Sequence, residues 1–496
     1  MFRLGGNVRH THKLIFASAL ALANVPVMAA TCLPGGTADS PTLLCTATDS
    51  GNINDNRNNL SVTIESDAEI IRASGRPVQL EGSNQSVNNQ GLIESGNDDA
   101  IRSKGANLTI DNSGTIRGGD RGIRLQDDAD NFTLINRESG KIFAENQAVR
   151  LDNDAELENA HITNYGLIQS TDGRAIQSRG PGGTVINHGT LRGGEEVIEA
   201  REDFTLENRG TVALNGLSWD ADTKTWTNTG ATDDEDGVQF ASGEANNYGV
   251  ILGSDDGIDI DEGKVHNHAS GVIVSTGSAS NPLEGGNGID VDSLYEPTQG
   301  EVRDAGPLTI INEGYIEGVR AIGADEASTS EITIENSGTL VGRSGTAIQF
   351  APNQGNSSLQ LSGNSEIIGD VIFGAGDDML IVDGLTSTSG MLSTGIFDGG
   401  LGGNSVFFND FSLSNILSFD ITDTLIYMSF GIASDELFSG KFTNFSSWTF
   451  GADGSFSTEA LARQFMNPSA VPLPAALPLF AFGLFGLWAG RARLLK

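Results

Sequence analysis

The residues best suited to chemistry are aspartates in two short acidic segments, Ser254–Glu262 and Gly288–Asp292. In each segment two aspartates alternate with aliphatic residues, so they share the outer side of a strand whose aliphatic residues point inward. If the segments stack, like charges adjoin, which is unfavourable unless a cation neutralises them. Calcium accepts several carboxylate oxygens in flexible geometry. Asp259, Asp261, Asp290 and Asp292 are therefore candidate calcium ligands, although the expectation favoured from the sequence is that the protein holds no cofactor.

The same carboxylates have a purely structural interpretation. Asp98–Asp99 and Asp120 stand in the same place within a sequence repeat, each ahead of a small residue and an aliphatic one. No basic residue or histidine adjoins Asp255–Asp256 in the sequence to complete a hydrolase or lyase site. His266 and His268 flank an asparagine, where a surface position accounts for them. We therefore assign no catalytic residue, and a non-enzymatic role is favoured over an enzymatic one.

The elements that must position these residues belong to that degenerate repeat. In the copy Leu108–Asp128, apolar and polar residues alternate with a period of two in three short stretches separated by turns. An Asn-x-Gly corner recurs from Asn89 to Asn208 at steps of 23, 24, 28, 23 and 21 residues. Strand-type alternation with a period of this length predicts the stacked coils of a parallel β-helix, spanning residues 51–356. Further corners begin at Asn247, Asn312 and Asn336, and Asn136 and Asn267 begin corners with two extra residues.

The corner residues have physical roles in such a stack. Asparagines at the same corner of successive coils can hydrogen-bond along the column, and asparagine also tolerates the left-handed backbone of a tight turn. Glycine permits a positive φ at which another side chain would clash. We therefore expect the corners to combine an asparagine ladder with left-handed turns.

Two long inserts interrupt the repeat. The first lies between Asn208 and Asn247, a step of 39 residues, and carries Trp219 and Trp226. Two tryptophans on a protruding loop would suit sugar stacking, but they can equally fold down over the flank of the solenoid, which we favour. The second insert follows Asn267, and its 45-residue step fits either two coils or one coil with a long loop.

Residues 357–465 differ in composition from the repeat. Thirteen of the 23 phenylalanines fall between residues 351 and 465, and the Asn-x-Gly corner fades. The last coil of a solenoid exposes its core and a sheet edge, which require cover. We therefore predict C-terminal coils and a phenylalanine-rich β cap in this region.

The corner and strand pattern of about residues 50–385 resembles the right-handed parallel β-helices of bacterial secreted proteins and autotransporter passengers. The resemblance implies an all-β fold and a right-handed solenoid. Polysaccharide lyases that use calcium and glycosidases that use paired aspartates share this scaffold, and Asp255–Asp256 superficially resembles the glycosidase pair. No run of barrel strands follows the repeat, so self-translocation through a barrel of its own is not expected.

Residues 1–30 have the order of a secretory signal peptide. Arg3, Arg9 and Lys13 precede an apolar stretch that is too short to span a membrane, and small residues follow. Cys32 and Cys45, the only cysteines, lie just beyond it. In an exported chain such a pair predicts a disulfide, here one that closes an N-terminal cap over residues 31–50.

Residues 466–496 carry the most specific motif. Val471-Pro472-Leu473-Pro474-Ala475 precedes an apolar stretch, residues 476–490, that is expected to form a single hydrophobic helix. A basic end follows, with Arg491, Arg493 and Lys496, which the positive-inside rule places on the cytoplasmic side. The order closely resembles the VPLPA-CTERM variant of PEP-CTERM sorting signals. The resemblance implies recognition by an exosortase-like membrane protease, cleavage near the motif, and release or attachment at the cell surface. An uncleaved tail anchor is the alternative.

The composition limits the partners. The formal charge is −36, from 29 basic and 65 acidic side chains, which disfavours nucleic acid and anionic membrane surfaces. We therefore expect an exported protein of the cell envelope, surface or medium, structural or adhesin-like, anchored at least transiently in the inner membrane. Its expected partners are the export machinery, the sorting protease and a surface polysaccharide or other envelope component. The alternative is an extracellular polysaccharide lyase or glycosidase.

Overall fold

The computed structural model describes residues 32–466 apart from short gaps. The predicted signal peptide, the Val471–Ala475 motif, the apolar stretch after it and the basic end all lie outside the described residues. The gaps are residues 49–50, 128, 153–158, 232–233, 279–285, 293, 297–300, 304, 325–327, 329, 353–354, 385–391, 423 and 433–434.

The chain forms a parallel β-solenoid of about 13 turns, which confirms the predicted β-helix. Most coils contribute three short strands, and each strand pairs in parallel with its equivalents on neighbouring coils, so the strands form three columns. The first column ends at the asparagine corner. It comprises Pro41–Cys45, Ser61–Ile64, Ser86–Asn89, Thr109–Asn112, Thr133–Asn136, His161–Asn164, Thr184–Asn187, Phe204–Asn208, the second halves of Val238–Asn247 and Ile258–Asn267, Leu308–Asn312, Ile332–Asn336, Ser358–Leu361, Met379–Val382, Ser405–Phe408 and Ser447–Phe450.

The other two columns follow each corner in turn. The second column comprises Glu69–Arg72, Leu92–Ser95, Thr115–Arg117, Lys141–Ala144, Leu167–Ser170, Thr190–Gly193, Thr211–Leu214, Val250–Gly253, Val272–Ser275, Tyr315–Gly318, the first halves of Thr339–Gln349 and Glu366–Ile372, and Leu392–Ser393. The third column comprises Ile53–Asp55, Val78–Leu80, Ile101–Ser103, Arg121–Leu125, Gln147–Leu151, Ile176–Ser178, Ile198–Glu199, the first halves of Val238–Asn247 and Ile258–Asn267, Ile289–Val291, Ile322–Ala324, the second halves of Thr339–Gln349 and Glu366–Ile372, Ile396–Asp398 and Asp435–Thr443.

The core is a continuous column of aliphatic side chains inside the coils. In the copy Leu108–Asp128, Ile110, Ile116, Ile123 and Leu125 are all fully buried. Strict alternation makes this possible, because every second side chain of a strand points inward. No single coil can bury these residues alone, so the stability of each coil depends on its neighbours.

The predicted asparagine ladder is present and buried. From Asn89 to Asn312, each corner Nδ2 donates to the Oδ1 of the corner asparagine on the next coil over 2.7–2.9 Å, and Asn336 is the last acceptor. These side chains are at most 1% exposed. Most of these Nδ2 atoms also donate to a backbone carbonyl of their own turn, as Asn187 does to Gly189 O over 3.3 Å. The ladder therefore satisfies buried amides that would otherwise be costly.

The prediction of left-handed backbone at these corners was wrong. The positive φ angles belong to a second, exposed asparagine column just before the first strand, as at Asn84 (58°) and Asn107 (61°), whose side chains hydrogen-bond along the solenoid at 2.8 Å. The corner glycines have ordinary φ but pack closely on the coil below. A Cβ at Gly210 would lie 2.0 Å from the backbone oxygen of Gly189. Glycine is required there by the spacing of the coils.

Each long insert belongs to a single coil. Asn208 bonds directly to Asn247 and Asn267 directly to Asn312, both over 2.8 Å, so no extra coil intervenes. The second insert includes the antiparallel hairpin Leu294–Glu296 with Glu301–Arg303.

The tryptophan insert forms the hairpin Leu217–Asp220 with Thr225–Asn228, in which Trp219 faces Trp226 across the strands. It folds down on the solenoid flank, as favoured from the sequence. The Trp219 ring lies 5.5 Å from that of Tyr315, and Trp226 Nε1 donates to a carboxylate oxygen of Glu317 over 3.3 Å. Between hairpin and flank lies a cavity of about 400 Å³.

The two described ends of the solenoid carry antiparallel strands. At the N-terminal end, Leu33–Gly36 pairs antiparallel with the first-column strand Pro41–Cys45. At the other end, antiparallel strands and phenylalanines cover the core, as predicted. This cap comprises the 3-10 turns Leu413–Asn415 and Gly451–Asp453, the strands Ile416–Ile421, Ile426–Ile432 and Gly454–Ser457, and the helix Thr458–Met466. Among the described residues, no helix has the length and apolar character needed to cross a membrane.

Candidate functional site

Charged side chains from successive coils stack along the third strand column. Its outward position follows each buried isoleucine or valine, and parallel register stacks these positions on successive coils. Charge is segregated along the stack, with arginines on the N-terminal coils and aspartates on later ones. The outward residues are Arg102, Arg124, Arg150, Gln177, Glu199, Gln239, Asp259 and Asp290.

The predicted calcium ligands are only partly brought together. Asp259 and Asp290 are register partners on adjacent coils, and one carboxylate oxygen from each lies within 4.8 Å of one from Asp292. Asp261 is not in this group. It is 9% exposed. The alternation breaks after Ile260, because the long strand Ile258–Asn267 turns there from the third column into the first.

A second acidic group adjoins the first. Asp236, Asp255 and Asp256 have carboxylate oxygens within 4.8 Å of one another, although Asp236 belongs to the preceding coil. Asp236 Oδ1 accepts the Asp256 N–H over 2.9 Å, and Asp256 Oδ1 accepts the Asn287 N–H over 2.6 Å. The buried carboxylates therefore connect three coils through backbone amides.

Burial and mutual repulsion make these carboxylates hard to ionise. Burial, and then the charge of Asp259, raises the pKa of Asp236 well above its ordinary value. Burial, and then Asp290, does the same to the pKa of Asp256. Burial and the nearby Glu196 raise the pKa of Glu235 to about 7. The group can thus retain protons near neutral pH or be ionised by a bound cation.

A buried arginine is linked to the acidic groups. Arg320, 2% exposed, donates from Nε to Asn287 Oδ1 over 2.8 Å and from a terminal nitrogen to Gln349 over 3.2 Å. The side-chain Nδ2 of Asn287 in turn donates to Oδ1 of Asp290. Carboxylates from neighbouring coils are therefore linked to a buried arginine through Asn287, a connection that no single segment of the sequence displays.

The arginine half of the face is internally paired. Asp152 contacts Arg124 over 2.7 Å and also bonds to Arg150. Burial opposes ionisation of Asp152, but hydrogen bonds from Arg150, Gln126 and Arg124 outweigh it, so its pKa is lowered. Asp99, fully buried, lies within 3.2–3.9 Å of three arginines. These charged side chains therefore bind one another across neighbouring coils.

The structure joins Cys32 to Cys45 in a disulfide across the N-terminal hairpin.

Asp378, from the glycine-rich segment of the cap region, is 1% exposed, and its Oδ1 accepts the Ser357 N–H over 2.7 Å. Burial raises its pKa to about 6. Sequence reasoning assigned neither Asp236 nor Arg320 to a site. The signal that could have found them is the alignment of equivalent third-column positions on successive coils.

These features define the class of the chain, a parallel β-solenoid protein with charged side chains stacked along its third strand column. Comparison with family models, characterised proteins and solved structures found no match.

Proposed function

We propose that this is an exported β-helix protein of the cell envelope, structural or adhesin-like, sorted by an exosortase-like protease through Val471–Ala475. The observation that carries the export step is the Cys32–Cys45 disulfide at the start of the solenoid. Disulfides form and persist in oxidising compartments and are rare in the cytosol. The sorting step rests on the motif, the apolar stretch and the basic end in the sequence.

The paired outer surface supports a structural role. Asp152, for example, is bound to Arg124 and Arg150 of the same column, so its charge connects neighbouring coils. The tryptophan hairpin offers the binding surface. Trp219, Lys224 and Tyr315 line the cavity beside it, and aromatic rings with polar neighbours suit a sugar residue. We propose a surface polysaccharide as the partner there.

The test of sorting is the intact mass and location of the protein in its own host. We expect a species that ends near Pro474, at the surface or in the medium. Replacing Pro472 and Pro474 by alanine should leave the full-length chain in the inner membrane, whereas the matched change Pro468→Ala, just ahead of the motif, should be processed normally. A wild-type chain that keeps its C-terminus in the inner membrane would refute the sorting proposal.

A polysaccharide lyase or glycosidase is the second candidate. The convergence of Asp256, Asp259 and Asp290 beside the Asn287–Arg320 link favours it. A neutral buried carboxyl can act as a general acid, a role that contributes roughly 10²–10⁴-fold. If the protein cleaves a polysaccharide, Asp256→Asn should lower the release of reducing ends by about that factor, and Asp111→Asn, on the first column, should not. Equal activity in both variants would exclude this role for Asp256.

Calcium is the cofactor that we propose for the aspartate face, bound chiefly by Asp259, Asp290 and Asp292. The three carboxylates lie close enough to share one ion, and a hard cation with flexible coordination matches an all-oxygen set. Asp261, the fourth ligand expected from the sequence, would contribute only if its strand shifts. Calcium titration of the wild type and of Asp290→Asn tests this assignment.

A further inference from the structure

Two histidines and a glutamate meet on the outside of the asparagine corner. His266 and His268 come from one coil and Glu313 from the next, and a ligand atom from each lies within 4.8 Å of the other two. This group is separate from the aspartates of the third column, because it lies at the opposite end of the strand Ile258–Asn267. It contains nitrogen donors, which the aspartate groups lack.

The fold places these three side chains by its repeat. His266 and His268 flank Asn267, so strand alternation turns both imidazoles outward while the asparagine points in. Glu313 directly follows Asn312 in the chain, just as His268 directly follows Asn267. Because Asn267 and Asn312 are register partners, Glu313 and His268 stack on successive coils. Asn267 is held on both sides, since its Nδ2 donates to Asn312 over 2.8 Å and its Oδ1 accepts from the previous coil over 2.9 Å. The backbone under the group is thus rigid.

The Nε2 atoms of the two imidazoles are not engaged in hydrogen bonds within the described part of the chain. Both atoms, of His266 and His268, are shielded from solvent. His266 Nε2 lies 3.5 Å from a carboxylate oxygen of Glu313. The two rings stack with centroids 3.6 Å apart, and Tyr248 stacks on the other side of His268 at 3.7 Å. Stacking therefore holds both rings while their donor atoms remain available.

We propose that His266, His268 and Glu313 bind a late first-row divalent metal ion such as Zn²⁺, Ni²⁺ or Cu²⁺. Imidazole nitrogen suits these ions, whereas calcium prefers oxygen ligands alone. Two nitrogens and one carboxylate leave a fourth position for water or another exchangeable ligand. Ligand bonds of about 2.0–2.2 Å require donor atoms roughly 3.3 Å apart, whereas the donor atoms here are separated by up to 4.8 Å. An imidazole lone pair lies in the plane of its ring, so metal binding also requires the two rings to rotate out of their stack until both nitrogens point at one ion.

The test uses the full-length protein without a histidine tag, stripped of metal by a chelator. Zn²⁺ is titrated by calorimetry in excess calcium, which occupies the carboxylate-only sites. We expect one Zn²⁺ per chain, and roughly tenfold or greater weakening in His268→Ala and in Glu313→Gln. The matched control is His188→Ala, because His188 occupies the same corner position and stacks on Tyr165 at 4.8 Å. It should bind Zn²⁺ as the wild type does.

A second measurement identifies the ligands directly. With Cu²⁺, electron paramagnetic resonance should show hyperfine coupling to two imidazole nitrogens in the wild type and to one in His268→Ala. Circular dichroism checks that each variant is folded, and His266→Gln replaces His268→Ala if that variant unfolds. Absence of Zn²⁺ binding by the wild type, equal weakening in His188→Ala, or an oxygen-only copper spectrum would overturn the proposal. The three side chains would then serve only as a stacked ion pair.

Discussion

Replacing Asn187 by alanine tests whether the buried ladder stabilises the solenoid. The Asn187 side chain is fully buried. Its Nδ2 donates to Asn208 over 2.8 Å and to Thr211 O over 3.2 Å, and its Oδ1 accepts from Asn164 over 2.8 Å. The change therefore breaks both ladder bonds of one coil and leaves a small cavity.

The expected cost follows from those contacts. Two buried hydrogen bonds contribute about 1 kcal/mol each, and partners left unsatisfied add to this. We expect Asn187→Ala to destabilise its region by about 2–4 kcal/mol. The matched control is Asn107→Gly in the exposed column, which also breaks two asparagine–asparagine bonds, of 2.8 and 3.0 Å. Water can replace those bonds and glycine accepts the φ of 61°, so we expect a loss below about 1 kcal/mol.

The assay must resolve regions of the solenoid, because repeat arrays need not unfold as one unit. Hydrogen exchange read by mass spectrometry should show lost protection in Thr184–Asn187 and Thr211–Leu214, with little change in Ile332–Asn336. Urea unfolding followed by circular dichroism gives the accompanying shift in the midpoint. Equal losses in Asn187→Ala and Asn107→Gly would refute the assignment of stability to the buried ladder.

Four further outcomes are expected. The exported protein should have no free thiol before reduction, and Cys45→Ser should destabilise the first coil by about 3 kcal/mol in hydrogen exchange, since the bridge closes a short loop; two titratable thiols in the native protein would contradict this. Gly210→Ala should cost at least about 2 kcal/mol in urea unfolding, because its Cβ would overlap the coil below. Calcium should raise the melting temperature of the wild type but not that of Asp290→Asn, with a gain of about 2.7 kcal/mol at 100 times Kd. The pKa of Asp378 is raised from 3.8 to about 6 on folding, so its contribution to stability is fully present below pH 3.8 and lost as the pH rises through 6. The stability of Asp378→Asn relative to the wild type should therefore increase between pH 4 and 7, by at most about 3 kcal/mol. A stability difference that does not change with pH would exclude the shift.

Much of the architecture could be predicted because the repeat appears in the sequence itself. Strand alternation in copies such as Leu108–Asp128 is local, and the asparagine period sets the register between coils. The sequence did not show why each corner residue is required. A glycine required by close approach, such as Gly210, and one required by positive φ look alike in sequence, so the corners were assigned the wrong backbone.

The candidate sites were harder to predict because their members come from different coils. Asp259 and Asp290 could be matched because they lie in similar segments. Asp236, in contrast, lies at the end of an insert and joins Asp255 and Asp256 only in the folded chain. Asp261 lies where one strand passes from the third column into the first, and it is not in the group that Asp259 and Asp290 form with Asp292. The grouping of His266 and His268 with Glu313 depends on a 45-residue step forming one coil, which the sequence left undecided.

The parallel stacking of coils also determines how the molecule would respond to a pull along its axis. A folded coil adds only about 4.8 Å of length. Between Asn89 and Asn208, however, each coil stores 21 to 28 residues. Extended chain spans about 3.3–3.6 Å per residue, so each coil that opens would release roughly 65–95 Å. The two inserts, with steps of 39 and 45 residues, would give the longest extensions. A solenoid tethered at one end would thus act as a series of extensible links, yielding one coil at a time under load.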